Sequence, residues 1–354
     1  MCSPILLGFE RIVRENEHNL EPQTIQTMKA AWYEQLGNPQ EVLNLGEVEI
    51  PQPNAGEVRV RVYASGVNPS DVKQRSGWGG LKMRHPRVIP HNDGAGIIDA
   101  VGEDVSSQRV GDRVWIYEAT LAHPFGTAAE YVVVPTENAV LLPDNTEFAA
   151  GACLGVPAMT AHNCVFKDGA VTGQTILVSG GAGAVGNYAI QLAKWGGAKV
   201  ITTVSSPQKA EIAGLAKADY VINYKTEDVA ARIKEITDNK GVDRVVEVDF
   251  ASNLETNLAV LKRNGVIATY ASDSNVQPHI PFYGLVYKNI TVHYVLVYVM
   301  TKADHQAAVQ DITTCLKAGL HHVIAQRFPL SQIAAAHEMM ESGKAVGNLV
   351  VEIA

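Results

Sequence analysis

The stretch Val178-Ser179-Gly180-Gly181-Ala182-Gly183-Ala184-Val185-Gly186 constrains the chain more than any other. Thr175-Ile176-Leu177-Val178 leads into it, short, apolar and rich in branched residues, and reads as a buried strand. Beyond it Val185, Ala189, Leu192 and Ala193 recur at helical spacing until Gly196-Gly197 ends the run. Gly181, Gly183 and Gly186 therefore spell G-x-G-x-x-G between a strand and a helix, and Lys199 to Val204 reads as a second strand. Glycines there let the backbone turn tightly and approach a pyrophosphate. The anion would sit on the helix N-terminus, where free N–H groups and the dipole favour negative charge.

The rest must supply partners for such a unit. At 354 residues, two domains are expected. The chain is 46% hydrophobic and 19% charged, enough for a large core. Its net charge of -8, with no basic run, argues against nucleic acid or an anionic membrane. No apolar stretch reaches the length of a membrane span; the longest, Val292 to Met300, contains His293 and reads as a buried strand. Cys2, Cys153, Cys164 and Cys315 show no paired spacing, so a reducing, cytoplasmic compartment is expected, with Cys153 and Cys164 as core filler.

Residues 1–27 differ from the rest of the chain. Ile5 to Phe9 is too short for a signal-peptide core, and Glu10, Glu15, Glu17 and Glu21 argue against a transit peptide. A loosely held extension is expected, with Met28 a candidate natural start. From Met28 to about Phe148 short strands succeed one another closely (28–33, 42–49, 57–64, 94–101, 113–117, 128–134, 139–142), separated by Pro51-Gln52-Pro53, Gly79-Gly80, Gly102-Glu103 and Gly111-Asp112. This predicts a partly closed β-barrel. From Gly151 helices and strands alternate. Strands are predicted near 175–179, 199–204, 220–224, 243–248, 265–270 and 290–298. Helices are predicted near 155–167, 184–195, 207–217, 227–238 and 252–262. Six strands with intervening helices make a doubly wound sheet. The tail, with helices near 303–318 and 331–342 and a strand near 348–353, is assigned back to the β-rich domain. The expected division is 28–154 with 299–354 as one unit, and 155–298 as the dinucleotide-binding unit.

Several stretches together resemble the medium-chain dehydrogenase/reductase superfamily: Met28-Lys29-Ala30, Pro51-Gln52-Pro53 with Gly56-Glu57-Val58, Gly66-Val67-Asn68-Pro69-Ser70-Asp71, Gly94-Ala95-Gly96, Val110 to Val114, Gly155-Val156-Pro157 with Thr160-Ala161, the glycine stretch, and Asp219 to Tyr224. Within it the chain is most similar to the zinc-free NADPH:quinone oxidoreductases, the zeta-crystallin-like group. The resemblance implies an α/β fold, with a GroES-like catalytic domain and an inserted Rossmann domain. It also implies a homodimer joined through the Rossmann edge strand, here Ile290 to Val299.

The zinc branch of that family needs two cysteines and a histidine around an open site. Laid on its pattern, those positions hold Asn68, Asn92 and Val156. His91, Asp93 and Cys153 are close in sequence but out of register, and no metal site is expected. Without a metal to polarise a carbonyl, the expected acceptors are quinones, with conjugated enones or alkenals as the alternative and a non-catalytic, crystallin-like NADPH-binding protein as a third reading. The resemblance places Asn68 beside the nicotinamide, where its amide could hydrogen-bond a carbonyl oxygen as charge develops, and Thr160 at the same end. Lys73 stands where many members have a tyrosine and reads as a solvated lysine, with contact to an anionic oxygen as the alternative. Ser70 takes the place of a proton-relay hydroxyl and is given a structural use. Tyr63, Trp78, His123, Phe125 and Tyr283 are candidates for lining the cleft.

Cofactor choice is legible in the residues. NAD enzymes of this fold place an acid at the end of the second strand to bind the ribose hydroxyls; here the strand ends Thr203-Val204-Ser205-Ser206. A carboxylate would repel a 2′-phosphate, whereas the Ser205 hydroxyl can donate to it. Ser206-Pro207 reads as a helix N-cap and first turn, with Lys209 just inside. The resemblance assigns Lys209 and Tyr224 to the 2′-phosphate. NADPH is the expected cofactor, held by Asn68, Thr160, Gly181, Gly183, Ala184, Val185, Gly186, Ser205, Lys209 and Tyr224.

Overall fold

A computed structural model describes residues 26–353. The extension expected at 1–27 therefore lies outside the described residues except for its last two positions. Fifteen strands are described: β1 (Thr27–Trp32), β2 (Asn44–Glu49), β3 (Glu57–Val67), β4 (Asp93–Val101), β5 (Arg113–Ile116), β6 (Tyr131–Pro135), β7 (Ala139–Leu141), β8 (Thr175–Val178), β9 (Lys199–Val204), β10 (Tyr220–Asn223), β11 (Val242–Glu247), β12 (Leu261–Thr269), β13 (Thr291–Tyr294), β14 (Ile324–Pro329) and β15 (Asn348–Glu352).

β8 to β13 form one parallel sheet in the order β10-β9-β8-β11-β12-β13. The central strands β8, β9 and β11 are buried along nearly all their length, which fits strands covered on both faces. The chain starts in the middle, at β8, winds outward to β10, then returns to β11 on the other side. That reversal opens a crevice at the carboxyl ends of β8 and β11, the place where such sheets bind ligands. The other main sheet runs β14-β15-β3-β4-β5-β7, with β6 also on β3. β1 and β2 form a separate antiparallel ribbon. The strand β15 enters the second sheet between β14 and β3.

The helix Met159–Phe166 joins the two sheets. Seven of its eight residues are buried. The largest core cluster runs without a break from Ala64, Trp115 and Leu142 of the second sheet through Met159, Ala161 and Val165 to Ile176, Ile190 and Val246 of the first. The chemistry at the seam is thus set between two faces packed as one interior.

Three expectations need correction. Val42 to Glu49 is not one strand: Pro39–Val42 is a helical turn whose Asn38 cap accepts a hydrogen bond from Gln40 N–H, and the strand starts at Asn44. The helix expected at 155–167 starts with a π turn, Leu154–Ala158, because Pro157 has no N–H for a regular ladder. Val292 to Met300 is not a buried strand. Only Thr291–Tyr294 pairs, as the sheet's outer strand, and Tyr294, Leu296 and Val299 are exposed. No described helix is long and apolar enough to cross a membrane.

Candidate active site

The glycine stretch turns directly from β8 into the helix Ala184–Trp195. Each glycine has its own reason. Gly180 takes φ +71°, a conformation side chains avoid, and its N–H donates to Thr203 Oγ1 at 3.2 Å. A Cβ on Gly181 would lie 2.1 Å from Thr202 Oγ1, and one on Gly186 would lie 2.3 Å from Gly180 O. The motif's spacing did not mark Gly180, although it alone in the loop needs the left-handed backbone. Gly183 caps the helix. Asn187 N–H is the first to find an intrahelical carbonyl, that of Gly183, which leaves the amides of Ala184, Val185 and Gly186 as free donors. A cradle of bare backbone under a helix N-terminus fits a pyrophosphate.

Two cavities flank this loop. One, of about 610 Å³, is lined by Gly180, Thr203, Tyr224, Asp249 and Ser252, among others. The second, of about 660 Å³, lies between the two sheets and is lined by Asn68, Lys73, Trp78, Gly183, Ala184 and Asp273, among others. Val248 borders both. The paired cavities offer a nucleotide end and a reactive end, with the glycine turn between. The geometry thus brings Asn68, Gly183 and Ala184 to one cavity and Tyr224 to the other. Neither wall includes Thr160, Ser205 or Lys209. Thr160 is buried in the joining helix. Lys209 and Ser205 are half-buried, and the Ser206 side chain caps the helix Pro207–Leu215 by accepting from Lys209 N–H.

The zinc-ligand positions are occupied by a hydrogen-bonded network. Asn68 Nδ2 donates to Asp93 Oδ2 at 2.9 Å, and Val156 N–H donates to the same oxygen at 2.8 Å. Asn92 Nδ2 donates to Asp71 Oδ1, and Asp71 Oδ2 accepts from Asn68 N–H at 2.8 Å. Asp93 is fully buried, and its other oxygen, Oδ1, has no partner. Burial, reinforced by the charge of Asp71, holds the Asp93 carboxyl well above the ordinary range. Burial likewise pushes Asp71 up to about 7. Among the described residues no three His, Cys, Asp or Glu side chains converge as a metal site. Two amides and a valine in place of thiolates and imidazole do not fit zinc, and no step is derived through it.

Other residues fall where sequence reasoning did not put them. Lys73 is not a free surface lysine: Nζ lies 2.7 Å from Asp273 Oδ1 and 4.6 Å from the centre of the Trp78 ring. Ser70 Oγ lies 2.8 Å from Tyr298 Oη. Of the five aromatic and histidine candidates, Trp78 alone lines the interdomain cavity. Tyr63 stacks on Phe148, His123 bonds Glu57, Phe125 borders a distant pocket and Tyr283 stands in an exposed stack. Sequence reasoning missed Glu247, fully buried at the end of β11, whose carboxylate accepts from Ser179, Asn257, Asn253 and Asp249 N–H. It fixes the floor of the nucleotide end. An acid closing an apolar strand was the available signal.

A six-stranded parallel sheet with a glycine turn, seamed to a GroES-like sheet, defines a two-domain dinucleotide-binding dehydrogenase. Residues 184–314 match the family model described as zinc-binding dehydrogenase, and residues 54–144 match the alcohol dehydrogenase GroES-like domain. The chain is 31% identical to a quinone oxidoreductase of Sus scrofa, over 89% of this chain and 95% of that one. It is 30% identical to a 2-haloacrylate reductase of a Burkholderia species, over 86% and 93%. The Escherichia coli quinone oxidoreductase, solved in complex with NADPH, superposes with a TM-score of 0.78 at 27% identity, covering 92% of this chain and all of that one. The chain belongs to the medium-chain dehydrogenase/reductase superfamily, in its quinone-oxidoreductase branch.

Proposed function

We infer that this protein is a zinc-independent oxidoreductase that transfers reducing equivalents from NADPH to quinones. The observation that carries the reading is the cleft: a bare glycine cradle joins a nucleotide cavity to a reactive cavity lined by Asn68, and the zinc-ligand positions of the family hold Asn68, Asn92 and Val156. Full-length similarity to quinone oxidoreductases supports it. When bound, NADPH supplies the reducing equivalents. The amides of Ala184, Val185 and Gly186 would hold its pyrophosphate, with Gly181 and Gly186 keeping the backbone close. Ser205, Lys209 and Tyr224 would take the 2′-phosphate, where β9 ends without an acid. Asn68 commits one amide N–H to Asp93 and keeps the other for a substrate oxygen; Thr160 supports the same end.

The 2-haloacrylate reductase relative favours a second reading on the same scaffold, reduction of an activated double bond. NADPH consumption with a benzoquinone, a naphthoquinone, an alkenal and a simple ketone separates them. Turnover of the quinones is expected. Turnover of the alkenal alone supports the second reading, and turnover of the ketone alone overturns both.

The proposal extends to the assembly. A homodimer through β13 fits its open edge and the exposed Tyr283, Tyr287, Tyr294 and Leu296. Division into 28–154 with 299–354, and 155–298, follows the two main sheets. A cytoplasmic setting fits the free, buried Cys153, Cys164 and Cys315.

A further inference from the structure

Among the described residues that line the reactive cavity, Lys73 alone is positively charged. Its wall also holds two acids, Asp273 and Glu341. Glu341 is already neutralised by the buried Arg75 guanidinium, which also donates to Gly37 O. Lys73 is differently placed. It projects from the helix Pro69–Ser76, whose N-cap is Asn68, and both residues line the cavity. Its ammonium sits over the Trp78 ring and is met by a single carboxylate oxygen, Asp273 Oδ1. Asp273 comes from the opposite side of the cleft, in the segment after β12, and is 60% exposed.

The two partners differ in what separation costs them. Asp273 can turn into water at little expense, because exposed ion pairs contribute little net stability. Lys73 is nearly three-quarters covered and stays against the indole. An anionic group on a substrate entering the cleft would find an ammonium, an aromatic wall and a carboxylate free to withdraw. Asn68 lies five residues earlier, at the N-cap of the same short helix, so an acceptor whose reducible carbonyl reaches Asn68 can place a substituent at Lys73. We propose that Lys73 selects acceptors bearing an anionic substituent, such as a carboxylate or sulfonate on the reducible ring or double bond. Asp273 acts as the resident counter-ion that the substrate displaces. This deepens the proposed quinone reduction and rests on it for the position of the reacting atoms.

The test compares 1,4-naphthoquinone with 1,4-naphthoquinone-2-sulfonate as acceptors for NADPH oxidation, read as the ratio of their kcat/KM values. In Lys73→Met the ratio of sulfonate to neutral quinone should fall about tenfold, mainly through KM, as expected for losing one partly exposed charge-assisted contact. In Asp273→Asn it should rise, because the competing carboxylate is gone. In the unmodified protein it should fall as ionic strength increases. An unchanged ratio in Lys73→Met overturns the proposal. So does a fall in Asp273→Asn, which is what a merely structural bridge would give. If the unmodified protein reduces neither quinone, the functional reading fails on its own. Calorimetric binding of the sulfonate to the unmodified protein and to Lys73→Met, both saturated with NADP⁺, then still decides whether Lys73 receives an anion: about tenfold weaker binding supports the proposal and equal binding overturns it.

Discussion

At the residue scale, the glycine loop shows that one motif can hold positions with different physical needs. A methyl on Gly181 would run into Thr202 Oγ1 at 2.1 Å and Ile190 at 2.7 Å, both buried. On Gly183 its nearest neighbour is Gly180 O at 3.3 Å. Gly181→Ala is therefore expected to lower the melting temperature and abolish NADPH binding, whereas Gly183→Ala should melt near the unmodified protein. Thermal unfolding with and without NADPH checks both. The 2′-phosphate gives a second prediction. A hydrogen bond to a charged group contributes roughly 1.5–3 kcal/mol net. Lys209→Ala should thus weaken NADPH about ten- to a hundredfold and leave NADH nearly unchanged, as fluorescence titration would show. Equal losses for both cofactors would remove Lys209 from the site.

At the element scale, the helix Ile333–Glu341 is locked to β3 by a buried polar chain. His337 Nε2 lies 2.9 Å from His91 Nε2, His91 Nδ1 lies 2.8 Å from Ser65 Oγ, and Ser65 Oγ lies 2.7 Å from Thr127 Oγ1. Burial lowers His91 to about 3, and burial with the charges of His91 and Arg75 lowers His337 well below its usual value. The unfolded chain therefore binds more protons below pH 6.5. The stability these histidines contribute is complete above 6.5 and is lost as pH falls toward the folded value of about 3 for His91. Asp71 and Asp93 have the opposite sign. Their folded values are raised, so their contribution is complete below about 3.8 and is lost as pH rises through about 7 for Asp71. Between about 3.8 and 6.5 the two histidine slopes and the two carboxyl slopes oppose each other, so urea unfolding between pH 4 and 9 should show a plateau there and a fall in stability as pH rises beyond it. His337→Gln should tilt that plateau so that stability falls as pH rises, and Asp93→Asn should tilt it the other way, each by up to about 1.4 kcal/mol per pH unit.

The same scale shows what the residues alone could tell. Alternating strands and helices revealed β8 and β9 because each is a run of buried, mostly apolar residues between polar turns, and the regular alternation placed β10 to β12 among them. β14 escaped because Arg327 and Gln326 are exposed and only Phe328 is fully covered, which leaves no periodicity to see. The helix Phe282–Lys288 escaped because none of its residues is buried and its aromatic rings face out. In the site, Gly181, Gly183 and Gly186 were legible from spacing and Asn68 only through the family resemblance, whereas the Asp71–Asp93 network needs β4 and the helix after β3 to be brought together by pairing far apart in sequence. Lys73 was found in sequence, but its partner Asp273 comes from the other domain and no local pattern links them.

At the scale of the whole molecule, the outer strand β13 and the exposed stack of Tyr283 on Tyr287 leave an apolar band beside an open edge. Such edges are normally covered. Tyr294→Asp is expected to convert the proposed dimer to monomer in sedimentation velocity while leaving circular dichroism unchanged; a monomeric unmodified protein would remove the dimer. The insertion of β15 between β14 and β3 has a consequence for biosynthesis. Leu349 pairs with Val67, and all of β4 to β14 lie between them in the chain. A ribosome delivers the nucleotide-binding sheet whole before the strand that completes the other sheet has emerged. Until then the Ala64–Val67 end of β3 must wait with one edge unpaired, exposed to any chaperone or neighbouring strand that reaches it first. The closure of so long a loop is slow. In pulse-labelled hydrogen exchange during refolding, the amides of β8, β9 and β11 should gain protection before those of β3 and β15. The enzyme would thus own its cofactor-binding half before it owns a place to do chemistry.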